Sequence, residues 1–186
     1  MRPPVPRDPF ASLRAPAPKP TKKTPERYDR ELQQAQESRG HLYLDDLQVG
    51  QRFTSGTYLI DEAKIKSFAA EFDPQPFHLD EHAAGASIFR GLAASGWHTA
   101  AIAMKLLAAG GVPFANGLIG LGGEFAWPRP TRPGDILRVE SEIIEITPSR
   151  SKPQQGIVTM RSTMSNQNRE TVYVLTAKLL VFRRAL

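Results

Sequence analysis

The chain has 186 residues, of which 40% are hydrophobic and none is cysteine. This length suits one compact domain, with or without a tail, better than two. The lack of cysteine excludes disulfides, thiolate nucleophiles and cysteine-ligated zinc, and it fits a reducing compartment, so we expect a cytoplasmic protein. No stretch approaches the ~20 apolar residues of a membrane span, so we expect no role in a membrane.

The net charge of +5 is concentrated at the N-terminus, where nine Lys or Arg residues and five acidic residues fall within the first forty positions. The rest of the chain is nearly neutral. We therefore expect a solvated tail rather than a basic arm that binds nucleic acid. The prolines in the first ten positions also argue against the helix of a secretory signal.

Residues 1–42 are predicted to form a basic, proline-rich tail, and residues 43–186 a single folded domain. The alternating prolines up to Pro20 are typical of disorder. Part of the tail carries helix signals, because Thr24 can cap a helix that has Pro25 at its first position, and Gly40 can end it.

Helical patterns occupy the first half of the folded domain, after a strand predicted over residues 52–60. Asp61 can cap a helix, because apolar residues follow it at helical spacing, namely Ile65, Phe68, Ala69 and Phe72. The segment 73–78 contains two prolines, each of which favours extended geometry in the residue before it, so no helix is predicted there. Asp80 is predicted to cap a short helix.

The stretch 96–109 predicts a helix that is apolar on nearly every side and has to be surrounded by other elements. Four strands are predicted after it, separated by breaks rich in proline, glycine and polar residues, at residues 118–127, 135–146, 156–166 and 172–183. Early helices followed by a run of strands predict an α+β domain, with an antiparallel sheet curled around one buried helix.

Asp73 and His78 are the first candidates for chemistry. Adding water to a double bond requires one group that takes a proton from water and another that delivers a proton to carbon. Histidine titrates near neutrality, and a carboxylate in an apolar pocket can be tuned toward it. The two intervening prolines would hold the side chains at a fixed separation. Spacing alone favours the structural interpretation, in which Asp73 caps a turn and His78 lies on the surface.

The Ser95-Gly96 pair precedes the predicted buried helix, where backbone N–H groups are unpaired and the helix dipole is positive. A glycine at this point lets a carbonyl oxygen approach closely, and its N–H can stabilise developing negative charge. Alternatively, Ser95 is only the N-cap and Gly96 a point of close packing. The two interpretations are compatible.

Three other patterns fail on inspection. His78 and His82 are four residues apart but lack a third strong ligand, so no metal is expected. The glycines within residues 117–123 run into a strand rather than a helix, so they do not form a dinucleotide loop, and no cofactor is expected. Ser95 lacks the Gly-x-Ser-x-Gly elbow of a serine hydrolase.

Several of these segments together resemble the MaoC-like dehydratase family, which includes the (R)-specific enoyl-CoA hydratases and has the hotdog fold. The resemblance is carried by Phe72-Asp73-Pro74-Gln75-Pro76-Phe77-His78-Leu79-Asp80 and by Ser95-Gly96 at the start of the long helix. The turns within residues 47–53 and 129–135 are similar to family turns as well. The likeness covers roughly residues 43–183.

The resemblance implies a hydratase or dehydratase that interconverts 2-enoyl and (R)-3-hydroxyacyl thioesters, with Asp73 and His78 holding the water and exchanging protons with the substrate. It also implies that the Gly96 N–H polarises the thioester carbonyl and stabilises an enolate-like transition state. Ser95 belongs to the same substrate-binding region. Phe77 and Trp97 are candidates for its lining.

Three positions depart from the family pattern. Gln75 stands where the family often has Asn, and Ser95 replaces the usual His before the glycine. Met104 stands where some family members have a serine that orients the aspartate. Another group therefore has to position Asp73 in this chain.

The resemblance further implies an acyl-CoA or acyl-carrier-protein thioester as substrate, and a homodimer or higher homo-oligomer with the acyl tunnel near the interface. Phe89 and Met104 are further candidates for the tunnel lining, and Arg129 and Arg132 for contacts with coenzyme A phosphates.

Two alternatives to a hydratase or dehydratase stay open. One is a hotdog acyl thioesterase, which usually carries a carboxylate on the central helix that residues 96–109 lack. The other is a non-catalytic acyl-CoA-binding module.

Overall fold

The computed structural model of the protein describes residues 41–185. The expectations for residues 1–40 lie outside this range, and the division of the chain between residues 42 and 43 stays a prediction. Leu42 exchanges backbone hydrogen bonds with the segment after the long helix. Its N–H donates to the Pro113 carbonyl (2.8 Å), and its own carbonyl accepts from the Ala115 N–H (2.9 Å).

Residues 41–185 form five strands and four α-helices, which we number in chain order. These elements are β1 (Arg52–Leu59), α1 (Glu62–Phe72), α2 (Pro76–Leu79), α3 (Glu81–Ala86), α4 (Gly96–Leu106), β2 (Ile119–Ala126), β3 (Ile136–Pro148), β4 (Gln155–Ser165) and β5 (Thr171–Phe182). A 3₁₀ turn at Leu44–Asp46 precedes them, and a π-type turn at Leu107–Gly111 follows α4. The four predicted late strands and the α+β class are confirmed.

The strands form one antiparallel sheet in the order β1-β3-β4-β5-β2. Alternate side chains of the central strands enter the core, as the two-residue period of a strand requires. On β3 the buried set includes Leu137, Val139 and Ile143. Among residues 41–185, β2 pairs only with β5 at one edge of the sheet, and all eight residues of β2 are exposed. This uncovered edge borders the candidate site.

Local signals explain the helices that precede the sheet's long strands. Asp61 caps α1 as predicted, and its side chain accepts a hydrogen bond from the Lys64 N–H (2.8 Å). The prediction that segment 73–78 contains no helix is wrong at its end, because α2 begins at Pro76. Proline is tolerated at a first helical position because the N–H it lacks would be unpaired there, and Gln75 before it keeps the extended geometry that was predicted.

The helix α4 packs on one face of the sheet, with Ile102 and Leu106 on its buried side. The prediction that other elements surround it is only partly confirmed, since Trp97 is 58% and Met104 49% exposed. The regular helix also ends earlier than predicted, in the π-type turn, where Gly110 has a φ of 105° that suits glycine. No helix within residues 41–185 is long and apolar enough to cross a membrane.

Candidate active site

A pocket of about 530 Å³ lies between the N-terminus of α4, the α1–α2 connection and the chain after β2. Its lining combines a few polar groups with aromatic rings, as is typical of ligand sites. The lining residues are Asp73, Gln75, Phe77, His78, Phe89, Ala94, Gly96, Trp97, Thr99, Trp127, Pro128, Arg129, Pro130 and Thr131. Five of the six site residues predicted from the sequence therefore meet at one cavity, and the sixth, Ser95, is fully buried beside Gly96.

Asp73 and His78 approach each other within this pocket, with 3.5 Å between Asp73 Oδ2 and His78 Nε2. Asp73 ends α1 and His78 lies in α2, so the proline-containing connection sets their separation. His78 is 4% exposed, so the interpretation as a surface histidine is wrong. Its Nδ1 lies 2.8 Å from the Ala93 carbonyl oxygen, which can only accept, so a neutral His78 carries its proton on Nδ1 and presents a free Nε2 toward Asp73.

Two side chains position the Asp73 carboxylate. The Gln75 amide donates from Nε2 to Asp73 Oδ1 (2.7 Å), and Ser95 forms a further side-chain hydrogen bond to the same carboxylate. Burial acts to raise the pKa of Asp73, but these hydrogen bonds and the charge of His78 outweigh it, so the pKa lies below its usual value. Asp73 is therefore ionised at neutral pH. Both supporting residues stand where the chain departs from the family pattern, and they supply the support that Met104 does not.

The N-terminus of α4 faces the same pocket. Ser95 caps this helix as predicted, and its Oγ accepts a hydrogen bond from the Trp97 N–H (3.1 Å). Gly96 occupies the first helical position, so its N–H belongs to the unpaired set at the positive end of the helix dipole. Among the residues that the structure describes, no acceptor takes this N–H. It can therefore donate to an oxygen atom of a bound molecule.

Trp127 is a pocket residue that the sequence did not indicate. A Cβ atom added at Gly96 would lie 2.9 Å from Cε2 of the Trp127 indole, so the glycine is also the point of close packing considered above. Phe125 and Trp97 pack against this indole, with ring centroids 4.9 and 5.6 Å away. Tyr173 completes the cluster at 6.1 Å. No local pattern predicts the contact, because Trp127 and Gly96 are far apart in the chain.

The other expected tunnel residues divide into two groups. Phe77 and Phe89 lie in the lining together, with ring centroids 5.1 Å apart. Trp97 also lines the pocket while half of its surface stays exposed. Met104 does not line the pocket, because it projects from the exposed side of α4.

The two arginines considered for phosphate contacts have partners within the chain. Arg132 donates to three backbone carbonyls between residues 89 and 92, so its guanidinium holds that loop in place. Arg129 lies at the pocket but forms an ion pair with Glu170 (2.7 Å). The phosphate contact stays a prediction for both arginines.

Other regions of the described chain offer fewer chemical groups. A larger groove of about 680 Å³ crosses the outer face of the sheet near Arg138 and Arg169, but its lining includes no aromatic ring and no histidine. Within residues 41–185, no group of three His, Asp or Glu side chains lies close enough together to hold a metal ion. The pocket at α4, unlike this groove, joins a carboxylate to a histidine 3.5 Å away.

The fold and this pocket define a class of protein, an α+β domain whose long helix points its N-terminus toward an aspartate–histidine pair. A family model described as a MaoC like domain matches residues 46–166. The uncharacterized protein YdeM of Bacillus subtilis is 33% identical over 145 residues, which are 76% of this chain and 100% of YdeM.

Two solved structures extend the comparison. The crystal structure of the MaoC-like dehydratase from Rhodospirillum rubrum is 59% identical, covers 78% of this chain and 99% of its own, and has a TM-score of 0.77. The (R)-hydratase PhaJ1 from Pseudomonas aeruginosa is 29% identical, covers 78% of this chain and 89% of its own, and has a TM-score of 0.63. The chain belongs to the MaoC-like family of hydratases and dehydratases and has the hotdog fold, as the resemblance implied.

Proposed function

We propose that the protein catalyses the reversible addition of water to a 2-enoyl thioester, which gives the (R)-3-hydroxyacyl thioester. The observation that carries this proposal is one pocket that joins the Asp73–His78 pair, 3.5 Å apart, to the Gly96 N–H at the start of α4. The family and the likeness to an (R)-hydratase support the reaction type. Coenzyme A or an acyl carrier protein would carry the thioester.

In the hydration direction, one water molecule would donate hydrogen bonds to both His78 Nε2 and Asp73 Oδ2. The 3.5 Å separation of these atoms suits such a bridge. As the water oxygen attacks C3, Nε2 takes a proton from the water and then delivers it to C2, so the net result is one water added across the double bond. Asp73 stays ionised and stabilises the transient imidazolium, consistent with its lowered pKa.

Negative charge develops on the thioester oxygen during this attack, because the electrons of the double bond move toward the carbonyl. The Gly96 N–H and the positive end of α4 would stabilise that oxygen. A single donor of this kind contributes about 10²–10³-fold to the rate of related reactions. The aromatic rings of Phe77, Phe89 and Trp127 would exclude water and so strengthen the interaction.

We further propose that two copies of the chain form a homodimer through β2. Every residue from 119 to 130 is exposed in the single chain, and one edge of β2 pairs with no other strand of the described part of the chain. Leu121 and Phe125 on β2 and Trp97 on α4 expose large apolar side chains in the same part of the surface. An open strand edge beside an apolar surface is a feature that proteins generally cover, and a second copy would do so.

Hydration of crotonyl-CoA by the purified protein, followed as a loss of enoyl-thioester ultraviolet absorbance, tests the proposed reaction. Asp73→Asn and His78→Gln are each expected to lower kcat by about 10²–10⁴-fold. Thermal unfolding of both variants serves as the control for the fold. A His78→Gln variant with wild-type activity would show that the proton does not pass through the imidazole. Release of free thiol would indicate a thioesterase, and binding without turnover would indicate a non-catalytic module.

A further inference from the structure

The indole of Trp127 covers Gly96 with its face. The ring atoms Cε2, Cζ2 and Cδ2 would lie 2.9, 3.1 and 3.2 Å from a Cβ atom built on the glycine. Cε2 is a ring-fusion carbon whose in-plane directions are filled by bonded neighbours, so an approach this close has to come from above the ring. The flat side of the indole therefore rests on Gly96, and both residues line the pocket.

The Trp127 ring is held in this position by other aromatic side chains. Phe125 and Trp97 pack against it at 4.9 and 5.6 Å between ring centroids. Tyr173, which is 5% exposed and belongs to the core, lies 6.1 Å away. Aromatic contacts of this kind stabilise a cluster beyond the area that they bury. The indole is thus a fixed wall of the pocket.

We propose that Trp127 is the specificity-determining residue of this pocket and that it favours short 2-enoyl thioesters over long ones. The inference rests on the proposed function, in which the thioester carbonyl binds at the Gly96 N–H. A planar conjugated acyl group of a few carbons can lie against the exposed part of the indole, beside the part that Gly96 covers. The carbons of a longer chain compete with the ring for the same space, and overpacking is unfavourable.

The test compares kcat/KM for crotonyl-CoA and trans-2-octenoyl-CoA in the wild type, Trp127→Phe and Trp127→Ala. The wild type is expected to prefer crotonyl-CoA. Trp127→Ala is expected to raise the octenoyl-to-crotonyl ratio by about tenfold or more, since a few methylene groups in an apolar pocket discriminate at that level. Trp127→Phe keeps an aromatic ring in the cluster, so it should fold even where the alanine variant does not, and its ratio should rise less.

Ile144→Ala is the matched control, because it removes a large apolar side chain of similar exposure (44%, against 38% for Trp127) that lies outside the pocket, and its ratio should stay at the wild-type value. An unchanged ratio in both Trp127 variants would overturn the inference. An equal loss for both substrates would also overturn it, because the indole would then contact the carrier arm rather than the acyl chain.

Calorimetric binding of butyryl-CoA and octanoyl-CoA, which cannot be hydrated, separates this inference from the proposed function. A wild type that prefers butyryl-CoA without turning over any enoyl thioester, and a Trp127→Ala variant that loses this preference, would refute the reaction and support the specificity role. Equal affinities in the wild type would refute the specificity role whatever the enzyme's activity.

Discussion

The Asp73 carboxylate keeps its charge through hydrogen-bonding partners rather than through contact with bulk water. Burial alone would raise its pKa, whereas the hydrogen bonds from Ser95 and Gln75 and the charge of His78 lower it. The Gln75 bond is 2.7 Å long and reaches the oxygen that does not face the histidine. Each of the two carboxylate oxygens therefore has its own partner, and the loss of one partner should move the pKa in a known direction.

Gln75→Leu removes the amide donor at similar side-chain size, so we expect the pKa of Asp73 to rise. The midpoint of the Asp73 carboxyl titration, followed by ¹³C NMR, should then move to higher pH. Gln75→Asn keeps an amide and should show a smaller displacement. If the midpoint in Gln75→Leu coincided with that of the wild type, the amide would have no part in holding the carboxylate ionised.

His98 is a buried titratable residue outside the proposed chemistry. It is 7% exposed, and its ring stacks on Phe68 with 4.5 Å between centroids. Its Nδ1 finds no hydrogen-bond partner among residues 41–185. Burial and, to a lesser degree, the charge of Lys64 lower the pKa of His98, although Asp61 opposes the shift. The folded protein therefore resists a proton that the unfolded chain accepts near pH 6.5.

Stability should consequently fall as the pH drops through the histidine range, because the unfolded state binds more protons there than the folded state. His98→Phe keeps a ring on Phe68 and removes the titration. Between about pH 7 and pH 5, its free energy of unfolding in urea should decrease less than that of the wild type. His82→Gln, at an exposed histidine, should retain the wild-type pH dependence. Parallel curves for the wild type and His98→Phe would contradict the prediction.

The sequence predicts which residues gather at the pocket wherever a local signal fixes their geometry. Two prolines lie between Asp73 and His78, and a helix start defines Ser95 and Gly96. Trp127 could not be predicted, because its position against Gly96 depends on where the edge strand ends relative to α4. That relation is set by packing between distant segments, which leaves no periodicity in the sequence.

At the scale of elements, the contact between the start of α4 and the end of β2 leaves no room for a side chain. Gly96→Ala would place a methyl group 2.9 Å from the Trp127 ring. We expect this overpacking to lower the free energy of unfolding by about 1–3 kcal/mol and to reduce hydration of crotonyl-CoA. Urea unfolding and the hydration rate measure the two effects.

A double variant, Gly96→Ala with Trp127→Leu, identifies the cause of that loss. The smaller side chain makes room for the methyl group, so the double variant should be more stable than the sum of the two single changes indicates. If the stability losses of the two single variants simply added up in the double variant, the indole would move aside for the methyl group without a cost in free energy.

Strand and helix patterns could be predicted to different degrees. The late strands agree with their predicted positions within about two residues, because side chains that alternate between core and solvent leave a period of two in the sequence. The short helix α2 was missed because four residues are too few to show a helical period, and the proline that starts it also breaks helices in other positions. The exposed side of α4 was predicted to be buried because its large side chains, Trp97 and Met104, are apolar, and composition alone does not show which face of an apolar helix other elements cover.

At the scale of the whole molecule, the proposed dimer can be tested with a pair of matched substitutions. Phe125 on β2 is 46% exposed, and Ile144 on β3 is 44% exposed. Phe125→Lys introduces a charge into the proposed interface and should convert dimers to monomers in sedimentation velocity experiments. Ile144→Lys makes the same kind of change at equal exposure outside that interface, so it should sediment like the wild type. If both variants kept the wild-type sedimentation coefficient, β2 would not be the contact.

The strand β2 ends directly before Trp127, so the uncovered edge of the sheet and one wall of the pocket are a single continuous piece of chain. A second subunit would bind along β2 and an acyl thioester would bind beside Trp127, so both would contact this segment. Where two binding events are coupled, each changes the affinity of the other by the same factor. Self-association of the protein would then respond to the acyl thioester, and its affinity for the acyl thioester would depend on how concentrated the protein itself is.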